Sequence, residues 1–165
     1  MKYFSKIVFA AFIILGLASC MKKANYSIIP AITFKSLVIN NTTTATLQVN
    51  FTDGDGDIGY QSSDVNAPAN FYVELLQQDS TGRFQPILDP LLNDTIMGDT
   101  AFLGYHIPYI TPTGNDKELS GQIQVVMTNS SWYFVANKNM EYRVWLIDRS
   151  GHISNRVTTP PIVSP

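Results

Sequence analysis

The stretch Ala45-Thr46-Leu47-Gln48-Val49-Asn50-Phe51, continued by Thr52-Asp53-Gly54-Asp55-Gly56-Asp57-Ile58-Gly59, decides how the rest of the chain is read. In its first half every second residue is apolar, the period of a strand with one face buried and one face in water. In its second half three aspartates alternate with glycines. That composition ends the strand and curls the backbone into a tight acidic loop.

Working outward, the same period recurs between turn-rich stretches. Ile32 to Ile39 precedes it. Phe71, Val73 and Leu75 alternate with Tyr72, Glu74 and Leu76, and the cluster Asp79-Ser80-Thr81-Gly82 turns the chain so that Phe84 to Leu88 returns as a hairpin partner. Strands are also expected at Ala101–Ile107 and Gly121–Thr128. Tyr142, Val144 and Leu146 alternate with Arg143, Trp145 and Ile147, and the turn Asp148-Arg149-Ser150-Gly151 leads into a last strand, Ile153–Thr159. No long apolar pattern of period 3.6 occurs, and residues 129–139 have room for one short helical turn. Residues 87–120, with several prolines, read as an insertion at one end or as cover for an extra edge strand.

Seven or eight short strands predict an all-β chain folded as a single antiparallel β-sandwich, with a β-barrel of similar strand count as the alternative. The last 25 residues, from Glu141-Tyr142-Arg143-Val144-Trp145-Leu146 through Asp148-Arg149-Ser150-Gly151 to Ser154-Asn155, resemble the closing hairpin of immunoglobulin-like and fibronectin type III-like modules of bacterial envelope proteins. The resemblance implies an immunoglobulin-like sandwich over residues 31–165, with Tyr142 where a tyrosine corner lies.

Composition agrees with strands. Beyond residue 19 the chain holds 52 Val, Ile, Thr, Phe, Tyr and Trp against 15 Ala, Glu and Lys. The net charge of −2 excludes a broadly basic nucleic-acid binder, whose phosphate contacts need clustered Lys and Arg.

The N-terminus reads as an address. Lys2 and Lys6 precede an apolar run from Ile7 to Leu17, the pattern of an export signal. The run is shorter than the roughly 20 residues a membrane-spanning helix needs. Leu17-Ala18-Ser19-Cys20, which contains the one cysteine of the chain, resembles the bacterial lipobox. That resemblance implies a lipoprotein signal peptide over residues 1–19, a lipid-modified Cys20 as mature N-terminus, and a tether over residues 20–30. The expected localisation is the cell envelope, as an outer-membrane lipoprotein held by its lipid. Lys22 and Lys23 depart from the acidic pattern found after the cysteine in some surface-exported lipoproteins, which favours the periplasmic face over the cell surface.

Few residues point to catalysis. His106 and His152 stand alone in sequence, without a zinc spacing, and no nucleophile elbow is present. His152 reads as a solvated loop residue. No enzyme is expected. The rings of Tyr105, Tyr109, Trp132-Tyr133-Phe134 and Trp145 support either core packing or a carbohydrate-binding accessory role. Asp79-Ser80-Thr81, Asp94-Thr95-Ile96 and Asp99-Thr100-Ala101 resemble acceptors of an envelope O-glycosylation system, and turn chemistry explains them equally well.

The acidic loop is the strongest internal motif. Numbered from Asp53, it matches an EF-hand at Asp53, Asp55, Asp57 and Asp64, but Ile58 stands where glycine is required, and no helices flank it. It resembles instead the Asp-Gly-Asp-Gly-Asp loops of calcium-stabilised extracellular β domains. In a sandwich, the loop after the second strand lies at the same end as the turn before the last one. Asp53, Asp55 and Asp57 are therefore expected to meet Asp148 in a structural calcium site, with the carbonyl of Ile58 or Gly59 completing the shell. The competing reading is a solvated acidic turn. Taken together, the sequence predicts a lipid-anchored envelope protein with a binding or structural role, its partner an envelope protein or a glycan and not a nucleic acid.

Overall fold

The computed structural model describes residues 25–61, 63–64, 66–87, 102–110, 112, 117–128 and 137–164. The signal, Cys20, Lys22, Lys23, Trp132 and the acceptor-like triplets at Asp94 and Asp99 lie outside these residues, as does most of the expected helical turn. Among the described residues there is no helix. The described residues form nine strands: β1 (Ala31–Ile39), β2 (Ala45–Asp53), β3 (Phe71–Gln78), β4 (Phe84–Pro86), β5 (Phe102–Tyr105), β6 (Leu119–Met127), β7 (Asn139–Leu146), β8 (Val157–Thr158) and β9 (Ile162–Val163).

The strands make two antiparallel sheets. One has the order β1-β2-β6, with Ala45 opposite Met127 and Asp53 opposite Leu119. The other is centred on β3 and β7. On the far side of β3 lie β5, beside its first half, and β4, beside its second; β8 and β9 flank β7. First, second and late strands lie on one sheet and third and closing strands on the other, as in a β-sandwich. The two described sheets share no hydrogen-bonded strand pair, so they do not close into a barrel.

The alternating residues of β2 explain the core. Ala45, Leu47, Val49 and Phe51 are buried while Thr46, Gln48 and Asn50 between them are not. They pack with Ile32, Ile123, Val125 and Met127 against Phe71, Val73, Leu75, Met140, Tyr142, Val144 and Leu146 of the facing sheet. On the outer face of the first sheet a polar ladder forms instead, with Gln48 Nε2 donating to Gln124 Oε1 (2.6 Å). Part of the 87–120 stretch does carry an edge strand, β5.

One expectation needs correction. The last strand is not continuous over 153–159: Ile153 makes only an isolated bridge to Ile147, and pairing resumes at β8 and β9. Asn155 leaves the sheet because its side chain serves β1. Its Oδ1 accepts from Ile32 N–H (2.8 Å) and its Nδ2 donates to Ile32 O (2.9 Å). Pro160 and Pro161, without N–H groups, then separate β8 from β9. Trp145 is buried, but on the opposite face of β7 from the inter-sheet core. It stacks on Tyr72 with ring centroids 5.3 Å apart, and the Arg156 guanidinium lies over it.

Candidate metal centre

The end of the sandwich where β2 and β7 both terminate gathers the acidic residues. Asp53 closes β2, and Asp148 lies two residues beyond β7. The loop between Asp53 and Asp57 is closed by its own first residue, since the Asp57 N–H donates to Asp53 Oδ2 (3.0 Å). It is then clamped to the closing turn: Ser150 donates from both N–H (3.0 Å) and Oγ (2.7 Å) to Asp57 Oδ2, and the Arg149 N–H donates to the Asp57 carbonyl (3.2 Å).

Glycines make the close packing around this loop achievable. At Gly54 an added Cβ would overlap the Tyr26 carbonyl, and its N–H donates to Ser27 O (2.8 Å), so the segment leading into β1 lies directly on the loop. The neighbouring Tyr26 N–H donates to Glu118 Oε1 (3.1 Å). Gly56 has a φ of 69° and sits against the Lys117 carbonyl, a conformation and a proximity that both exclude a side chain.

The result is a cluster in which Asp53, Asp55, Asp57 and Asp148 each offer one carboxylate oxygen, all within 4.8 Å of one another. Asp53 and Asp148 are buried. Oδ1 of Asp53, Asp55 and Asp57 is in each case shut off from solvent with no hydrogen-bond partner. Three such acceptors side by side are costly, because each has lost water without gaining a donor. Their ionisation reflects this. Burial pushes the Asp53 carboxyl up to about 6; the bond from Asp57 N–H opposes the rise, and the charges of Asp55, Asp57 and Asp148 add to it. Asp55 is raised by burial and by the charge of Asp57. A cation among these oxygens would supply the missing partner for all of them.

Asp148 is held differently. Both its oxygens are bonded to His152, through the backbone N–H and through the ring Nδ1, 2.8 Å in each case. That hydrogen bond raises the His152 pKa. His152 is therefore not a free loop residue. Sequence reading missed this role, although the Asp-x-x-x-His spacing across a tight turn was its available signal.

The carbonyls of Gly59 and Ile58 accept from Arg149 Nη1 at 2.8 and 3.3 Å, so both are already engaged by a guanidinium. Asp64, the last EF-hand match, lies in a separate cleft of about 620 Å³ with Tyr60, His106 and Tyr109, where its Oδ2 accepts from Gln61 N–H (3.2 Å). His106 faces the same cleft and contacts the Ala67 carbonyl through Nε2 (2.7 Å). Oxygen-only donors of one charge type suit a hard divalent cation. No family model, no curated protein and no solved structure matches this chain.

Proposed function

We propose that this chain is a lipid-anchored cell-envelope protein whose sandwich serves as a binding or structural module, stabilised by a calcium ion at Asp53, Asp55, Asp57 and Asp148. The observation that carries the metal reading is the convergence of three buried, unpartnered carboxylate oxygens on a fourth carboxylate. Calcium is favoured because it takes six to eight oxygen ligands in a tolerant geometry, whereas magnesium demands a near-ideal octahedron. The lipid anchor rests on Leu17-Ala18-Ser19-Cys20 and the charged, apolar segment before it.

Thermal unfolding in calcium against chelator tests the metal. At ten times the dissociation constant the folded state gains about 1.4 kcal/mol by mass action. For a domain of this size that raises the melting temperature by roughly 3–6 °C. Magnesium should do less, and Asp55→Asn should abolish the shift. Equal shifts for wild type and Asp55→Asn would reduce the cluster to an acidic turn. Fatty-acid labelling that is lost in Cys20→Ala tests the anchor.

A second reading, a carbohydrate-binding accessory role, draws support from the cleft between Tyr60 and Tyr109. Tyr109 is 36% exposed beside Asp64 and His106, a mixture of ring faces and polar edges that suits sugars.

A further inference from the structure

The four aspartates cannot fill a calcium shell by themselves. Asp53 and Asp57 each have one oxygen occupied by protein donors, and both oxygens of Asp148 are shared with His152. The two nearest loop carbonyls are engaged by Arg149. No hydrogen bond from another described residue reaches the Asp55 carboxylate, and its Oδ1 is buried without a partner. With one oxygen from each aspartate the shell holds four of the six to eight ligands that calcium takes.

Asp55 is also the ligand that opens outward. With Gly56, Tyr109, Pro112, Lys117 and Arg149 it lines a pocket of about 260 Å³. Neither cation has a carboxylate within 4.0 Å among the described residues. Arg149 is fixed by its backbone N–H on Asp57, by Nη1 on the two carbonyls, and by its guanidinium 4.5 Å from the centre of the Tyr109 ring. Its Nε and Nη2 make no hydrogen bond among the described residues. Two cations without a carboxylate partner among the described residues thus share one small pocket with an incomplete metal shell, and a carboxylate is a ligand that would meet all three. Tyr109 lines both this pocket and the 620 Å³ cleft that also holds Tyr60.

We infer that this end of the sandwich binds an acidic oligosaccharide, a uronate carboxylate entering the small pocket to ligate the calcium ion and to meet Lys117 and Arg149, with the adjoining sugar ring against Tyr109 and Tyr60. The inference rests on the metal reading proposed above. The presence of Tyr109 in the lining of both pockets favours a saccharide over an isolated phosphate or carboxylate.

Calorimetry on the full chain in detergent separates the possibilities. Calcium is titrated first, alone; trigalacturonate is then added in calcium or in chelator, with galactotriose, monomeric galacturonate and inorganic phosphate as comparisons. Expected is a trigalacturonate signal only with calcium, none with galactotriose, and weaker binding of the monomer. Lys117→Gln should weaken trigalacturonate about fivefold or more, and Tyr109→Ala should weaken the trimer more than the monomer, while both variants still bind calcium. A calcium signal with no saccharide signal overturns the sugar site and leaves the metal standing; no calcium signal overturns both. Saccharide binding in chelator, equal binding of galactotriose, or phosphate binding where trigalacturonate fails also overturns it.

Discussion

His152 grips Asp148 from two directions, its backbone N–H on one carboxylate oxygen and its ring Nδ1 on the other, each at 2.8 Å. The bonds fix the only cluster member that comes from outside the acidic loop. A residue that orients a metal ligand in this way typically changes affinity about 10- to 100-fold when removed. His152→Ala is therefore expected to weaken calcium about tenfold or more, read by calorimetry, without moving the β-type far-ultraviolet spectrum.

The raised pKa of Asp53 gives a pH signature. Its folded value of about 6 lies above the ordinary 3.8, so the folded state holds this proton more tightly than the unfolded chain. The contribution to stability is fully present below about pH 4 and is lost as pH rises through 6. In chelator, unfolding should show a gain on the order of 2 kcal/mol from this group as pH falls from 7 to 4. Calcium should remove or reverse that gain, since protons then compete with the ion.

Asp53→Asn separates cost from use. Without calcium it should be more stable than wild type at pH 7, because one buried charge among four carboxylates is gone. With calcium the order should invert. Denaturant midpoints in the two conditions check both halves, and a variant less stable in both would mean that Asp53 serves the fold alone.

Gly54→Ala places a methyl group against the Tyr26 and Ser27 carbonyls. The expected cost is about 1–3 kcal/mol, with faster amide exchange at residues 26–29 than elsewhere. Exchange measured by mass spectrometry on peptides covering that segment reads the effect.

Asn155→Ala leaves Ile32 N–H and C=O, at the outer edge of β1, without the partner that the side chain provides. A loss of about 1–3 kcal/mol in unfolding free energy is expected. Asn155→Gln should recover little of it, because the longer side chain cannot keep both short bonds.

The fold was legible where burial follows local alternation. Leu47, Val49 and Phe51 announce β2, and Phe71, Val73 and Leu75 announce β3, because each faces one core with period two. The meeting of Asp148 with the acidic loop followed from strand order alone. The closing strand was not legible: the contact that breaks it, Asn155 on Ile32, spans 123 residues and leaves no local trace. Trp145 is buried as packing requires, on the outer face of β7, which is covered as well as the inner one. At the site, Arg149 took the carbonyls expected to serve as ligands. Lys117 escaped notice because its neighbours in sequence say nothing of the loop it reaches.

The bond from Gly54 to Ser27 has a mechanical consequence. A lipid at Cys20 would place the chain under load along residues 20–30, and that load first reaches the folded body at Tyr26 and Ser27, on the loop between Asp53 and Asp55. With the cluster empty, the load would peel the edge strand β1 from β2. With an ion in place, Asp148 would reinforce the Asp57–Ser150 bonds that already tie the loop to the closing turn, so both sheets would share more of the force. The cation would then act as a rivet at the point where the protein is moored.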